Sequence, residues 1–152
     1  MLPQEFPKEY MDILKKISQI AALAGINGQI NQKNGTFMAG MQLGHRSQMV
    51  HARPSGRNFK DAAIITIFSP CLEVKKGFMK GINKEMALEL LRLNEETPFA
   101  RFSIWDGDDA NLIVASADHL LDSLDPDDFE SLFIHVAIAA DQYEAKYGKD
   151  DF

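Results

Sequence analysis

Ala62-Ala63-Ile64-Ile65-Thr66-Ile67-Phe68 is the stretch on which the fold turns. It is apolar without alternation, carries no charge, and is dominated by β-branched side chains. A run of this kind reads as a central strand whose two faces are both covered. Ser69-Pro70 follows and is expected to break it, because proline has no N–H to give to a ladder.

Upstream, Arg46 to Arg53 reads as a strand, with Gln48, Val50 and Ala52 on one side and Ser47, Met49 and His51 on the other. Pro54-Ser55-Gly56 is expected to end it. Before it, Phe37, Ala39, Met41 and Leu43 recur at the period of a strand with one buried face, and Gly44-His45 suits the intervening turn. Residues 26–35 are rich in Asn, Gln and Gly and read as a loop. The chain opens with an amphipathic helix: Pro7 suits a first helical position, Tyr10, Ile13, Leu14, Ile17, Ile20, Ala21 and Ala24 form one stripe, and Gly25 is its stop.

Downstream, Asn83 is a good N-cap for a helix that ends near Glu96, before Pro98. Met86, Leu90 and Leu93 form one ridge, and Ala87, Leu88 and Leu91 carry the apolar surface further round, so this helix is expected to meet two surfaces. Phe99 to Trp105 and Leu112 to Ala115 read as a hairpin turning at Asp106-Gly107-Asp108-Asp109. Asp125 caps a last helix, with Pro126 at its first position and Asp127 and Asp128 favourably placed in its first turn. Its core stripe is Phe129, Leu132, Phe133, Val136, Ala140, Tyr143 and Tyr147. Ile134 and Ile138 point away from it and are expected at a helix contact or a partner surface. The order α-β-β-β-α-β-β-α, not strictly alternating, predicts an α+β domain over residues 1–152 with a mostly antiparallel sheet packed by helices.

The chain has 152 residues, 45% hydrophobic and 25% charged, an ordinary globular composition. Its net charge of −6 is uneven: residues 1–105 carry 14 Lys/Arg against 9 Asp/Glu, residues 106–152 carry 2 against 13, so the charge divides into +5 and −11. An acidic chain is not drawn to phosphate backbones, and nucleic acid is not an expected partner. The basic stretch with Arg46, Arg53, Arg57 and Lys60 lacks interleaved aromatic residues in sequence. The single cysteine, Cys71, forms no internal disulfide. No signal peptide and no membrane span is visible, so a cytoplasmic protein away from membranes is expected.

Motifs for chemistry are absent from the sequence. No glycine-rich phosphate loop occurs, and His45 and His51 would lie about 20 Å apart on one strand, too far to share an ion. Asp106-Gly107-Asp108-Asp109 lacks the glycine and glutamate of an EF-hand. Cys71 has no histidine partner in evidence, and no carboxylate pair shows a reason for divided acid/base roles. The expectation is no catalytic residue, no cofactor and no metal. Arg46, Gln48, Asp141 and Glu144 are the polar residues to watch, either as a structural network joining the last helix to the strand at 46–53 or as a small-ligand site.

Arg46-Ser47-Gln48-Met49-Val50, Ile67-Phe68-Ser69-Pro70-Cys71, Leu90 to Asn94 followed by Pro98 to Phe102, and Val136 to Glu144 together resemble the class I type III secretion chaperones, and more closely their YbjN-like (Tir chaperone-like) relatives. The resemblance spans roughly residues 44–148 and is carried by the combination in order. It implies a non-enzymatic fold that works as a homodimer, with the second helix at the dimer interface, and that binds a polypeptide segment or partner protein. Leu88, Leu91, Ile134 and Ile138 are then the expected dimer or partner surface. The alternatives are a small-ligand-binding or regulatory (sensory transduction) module, or an enzyme with an unrecognised site.

Overall fold

A computed structural model describes residues 5–77 and 81–152. In chain order it contains α1 (Lys8–Leu23), β1 (Gln29–Asn31), β2 (Thr36–Leu43), β3 (Arg46–Arg57), β4 (Ala63–Lys75), α2 (Lys84–Glu96), β5 (Arg101–Trp105), β6 (Ala110–Leu120) and α3 (Pro126–Lys146). The strands form one six-stranded sheet in the order β1-β2-β3-β4-β6-β5, antiparallel throughout. The fold is therefore α+β. β4 lies inside the sheet, as its composition requires, between β3 and β6.

The helices begin where their caps place them. Asn83 Oδ1 accepts the Met86 N–H at 2.9 Å, and Asp125 Oδ1 accepts the Asp128 N–H at 2.7 Å. Each satisfies an amide that the first helical turn leaves free. Pro7 sits at the N-cap of α1, and α1 buries Leu14, Ile17, Ile20 and Ala21.

Several boundaries differ from the sequence expectation, for identifiable reasons. The polar segment 26–35 contributes the short edge strand β1, paired with β2 from Gln29–Met38 to Asn31–Thr36. Gly35 closes that turn with φ +66°, and its carbonyl accepts the Tyr10 hydroxyl at 2.6 Å. β3 continues through Pro54-Ser55-Gly56 to Arg57, with a bulge between Pro54 and Gly56. The last β2–β3 pair is Phe37–Ala52, so beyond it one side of β3 is free and tolerates a residue without a donor. β4 likewise continues through Ser69-Pro70 to Lys75, absorbing Pro70 in a bulge that leaves Cys71 as the extra residue. β5 starts at Arg101 rather than Phe99, and β6 extends to Leu120.

α1 and α3 pack side by side against the sheet, and a continuous cluster from Leu14 to Tyr143 fills the space between. α2 sits on the same side over β5. It is joined to α3 by an ion pair between Glu89 and Lys146, and in the segment between α2 and β5 the Phe99 ring meets His135 of α3 edge-on at 4.9 Å. Among the described residues, no helix covers the opposite face. Phe68 is nevertheless buried there, because β3 and β5 roof it: His51 stacks on it at 5.1 Å, and the Arg53 guanidinium lies 5.0 Å from the Phe68 and Trp105 rings. The expected two-sided cover of β4 thus exists, with a side-chain roof on one face in place of a second layer. Among the described residues no helix is long and apolar enough to cross a membrane.

Candidate functional site: a polar seam and an apolar helix face

β3 and β4 part company after the pair His51–Phe68. Side chains carry the hydrogen bonds across the gap. The Ser69 hydroxyl donates to the Met49 carbonyl at 2.7 Å, and Gln48 Nε2 donates to Ser69 Oγ at 2.8 Å and the Pro70 carbonyl at 2.7 Å. Gln48 and Ser69 are both buried, so these bonds offset the cost of removing them from water. The bulged Cys71 is also buried. Burial, with the Glu144 carboxylate adding to it, pushes its thiol up to about 12, which keeps it protonated and unreactive.

The end of α3 and the segment after it close over this seam. Arg46 Nε donates to Asp141 Oδ1 at 2.8 Å, and Arg46 Nη2 donates to the Lys149 carbonyl. The same guanidinium lies 3.5 Å from Glu144 Oε1 and 3.8 Å from Asp150 Oδ1. Glu144 is 0% exposed; its Oε2 accepts the Asp151 N–H at 2.8 Å, and its Oε1 has no hydrogen-bond donor. Gln48 Oε1 is also buried without a donor. Burial raises the Glu144 carboxyl above the usual carboxylate range, against the lowering pull of the Asp151 amide and Arg46. Asp141, Glu144 and Asp150 each present an oxygen within 4.8 Å of the others.

The second feature is the outer side of α2. Only Leu90 of this helix is buried; Leu88 is 38% and Leu91 66% exposed. Between α2 and β5 runs a groove of about 280 Å³, floored by Leu90 and Phe102 and edged by Leu91 and Ile104. Asn94 closes the sheet edge at the groove: its Oδ1 accepts the Phe102 N–H at 2.6 Å, and its Nδ2 donates to the Phe102 carbonyl at 3.2 Å. One side-chain amide thereby stands in for a neighbouring strand at that residue.

Arg46, Asp141 and Glu144 are brought into direct contact, and Gln48 lies two residues along β3 from Arg46 on the seam. Leu88 and Leu91 share the outer side of α2, and Ile138 is 37% exposed on α3. Ile134 is half-buried and packs against the core, which fits the helix contact that was one of its two expected roles. Tyr147 lies past the end of α3 and is 37% exposed, so it leaves the expected core stripe. Sequence reasoning missed Ser69, Cys71, Lys149 and Asp150 as members of the seam. Arg46 and Gln48, polar residues two apart on the face that also holds Val50, were the available signal, since a buried strand face needs partners for such groups. It also missed the aromatic residues at Arg53, because Phe68 and Trp105 arrive from other strands.

No protein-family model matches the chain, and no curated protein matches it in sequence.

Proposed function

We propose that this is a non-enzymatic protein-binding domain of the type III secretion chaperone or YbjN-like kind, working in the cytoplasm as a homodimer paired through α2 and offering its remaining surfaces to a polypeptide segment. One observation carries the reading. Lys84, Leu88, Leu91 and Glu95 recur at i, i+4, i+7 and i+11 and are all exposed, so they form one narrow stripe along α2. The stripe is its own complement when reversed. In an antiparallel pair Leu88 meets Leu91 of the second copy, and Lys84 meets Glu95. The charges support this orientation. Lys84 at the N-terminus and Glu95 at the C-terminus both oppose the dipole of their own helix, and an antiparallel neighbour reverses that relation. The stripe alone is too small for a stable contact of about 800 Å² per partner. The groove beside it, with Ile104, extends the apolar area toward that size.

Light scattering on the purified chain tests the reading. A dimer at micromolar concentration is expected, and Leu91→Glu, at an exposed position, should give a folded monomer with unchanged circular dichroism. A wild-type chain that is monomeric at that concentration overturns the homodimer.

A further inference from the structure

We propose that the helix-free face of the sheet binds an acidic polypeptide segment in extended form, with one carboxylate on Arg53 and an apolar side chain four residues along in a cavity beside Met49. The inference rests on the protein-binding reading above and names the chemistry of the segment. It concerns the side of the sheet turned away from α2. Met49, His51 and Arg53 are alternate residues of β3, and Met38 of β2 lies opposite His51, so all four share this face. Phe68 and Trp105 join them through their contacts with Arg53.

Arg53 carries the observation. Arg46, Arg57 and Arg101 each pair with a carboxylate of the chain, and Arg92 stands exposed in solvent. Arg53 is half-buried, yet among the described residues its guanidinium has neither a carboxylate partner nor a hydrogen-bond acceptor. The Phe68 and Trp105 rings, each 5.0 Å away, attract the charge but do not accept its N–H groups as a carboxylate does. A guanidinium held in place by two rings loses less freedom on meeting a bidentate carboxylate. Neighbouring charges do not answer it. Asp118 accepts from Thr66 at 2.6 Å and from Arg101 at 2.7 Å. Glu73 and Lys75, alternate residues at the end of β4, are both exposed and offset one another. Burial and the Arg53 charge hold the His51 imidazole below its usual pKa, so it adds no charge at neutral pH. The face thus offers one unanswered positive charge, which matches a single carboxylate better than a dianionic phosphate.

Four residues back along β3, about 13 Å at strand rise, Met49 borders a cavity with Met38, Gly28 and Gly40. The cavity holds about 320 Å³. Gly40 opposes Met49 in register and leaves the space open: a Cβ there would meet only Met49 Cε, at 3.9 Å. Methionine side chains adapt to apolar guests of different shape. An extended segment lying along β3 sets its residues i and i+4 on one side at the same spacing, the first over Arg53 and the second over the cavity, with i+2 over His51. Among the described residues no helix covers Arg53. A small carboxylate there keeps much of its surface in water, whereas a chain adds contacts along β3.

Trp105 is the only tryptophan of the chain and lies against Arg53, so its fluorescence reports occupancy. The probe is the capped peptide Gly-Asp-Thr-Val-Thr-Leu-Gly, titrated into the full chain, and a saturable change in emission is expected. Asn in place of the peptide's Asp should weaken binding about tenfold. In Arg53→Met, which keeps a stem over Phe68 without the charge, the Asp and Asn peptides should bind alike. Gly40→Val, which fills the cavity without a clash, should weaken the Asp peptide about tenfold. No saturable response, or equal binding of the two peptides by the wild type, overturns the site, and the peptide exchange needs no altered protein. Unchanged affinity in Gly40→Val overturns the placement of the apolar side chain. Acetate that binds as tightly as the peptide overturns the segment as occupant. A dimer that ignores the peptide loses this site alone, and a monomer that binds it loses the α2 pairing alone.

Discussion

His51 shows how a single residue reports its surroundings. It lies against Phe68 on the helix-free face, and burial, helped by the nearby Arg53 charge, holds its imidazole below the usual pKa. The unfolded chain therefore binds the His51 proton more tightly than the folded chain does. Stability from this group is present above the unfolded value of about 6.5 and is lost as pH falls through the window between that value and the lower folded one. The wild type should lose more stability between pH 7.5 and pH 5.5 than His51→Phe, which keeps a ring on Phe68 and removes the titration. Urea unfolding at the two pH values measures the difference, and equal losses would refute it. None of this was legible in the sequence around His51. Its strand and its alternating face were, but the ring that buries it comes from β4, and the charge that faces it sits two residues along β3.

At the scale of elements, the edge of β5 is where local and long-range chemistry meet. The strand is exposed to pairing by another chain on one side, and Asn94, from the last turns of α2, blunts that edge at Phe102. Asn94→Ala should leave the Phe102 N–H without its acceptor and speed its hydrogen exchange by about tenfold or more, while an amide that faces β6 from within β5 keeps its protection. Unchanged exchange at Phe102 would show that the Asn94 bond contributes nothing in solution. The elements themselves were largely readable: α2 ends at Glu96 as Pro98 suggests, and Asn83 and Asp125 cap as their side chains allow. What misled was proline. Pro54 and Pro70 each mark a strand end when only local propensity is considered, and both lie within strands here, because each falls at a bulge where the ladder is already broken on one side.

For the whole molecule, the division of charge into +5 and −11 has a partly internal explanation. Arg46 pairs with Asp141, Glu144 and Asp150, and Arg57 with Glu9 and Asp61. Arg53 meets aromatic rings. The Arg46 pairs join the basic body to the acidic end within one chain, so they do not call for a second copy. If the copies pair through α2, the contact rests on Leu88 and Leu91 with an exposed Lys84–Glu95 pair at each end, and exposed pairs contribute about 1 kcal/mol or less. The dimer dissociation constant should then change by less than about thirtyfold between low salt and 0.5 M salt, measured by analytical ultracentrifugation. A dimer that falls apart in salt would assign the contact to charge instead.

Periodicity, caps and composition were sufficient for the helices, for most of the strands and for the α+β class, because those features depend on residues within a few positions of one another. The layer arrangement and the seam were decided only by tertiary structure. Arg46 and Asp141 are 95 residues apart, and no spacing in the chain connects them. Their contact exists because β3 and β4 separate around a bulge at the place where α3 ends and the chain turns back. Which buried oxygens are left without donors is likewise set by that convergence, since a polar side chain in a sequence carries its bonding needs but not its partners.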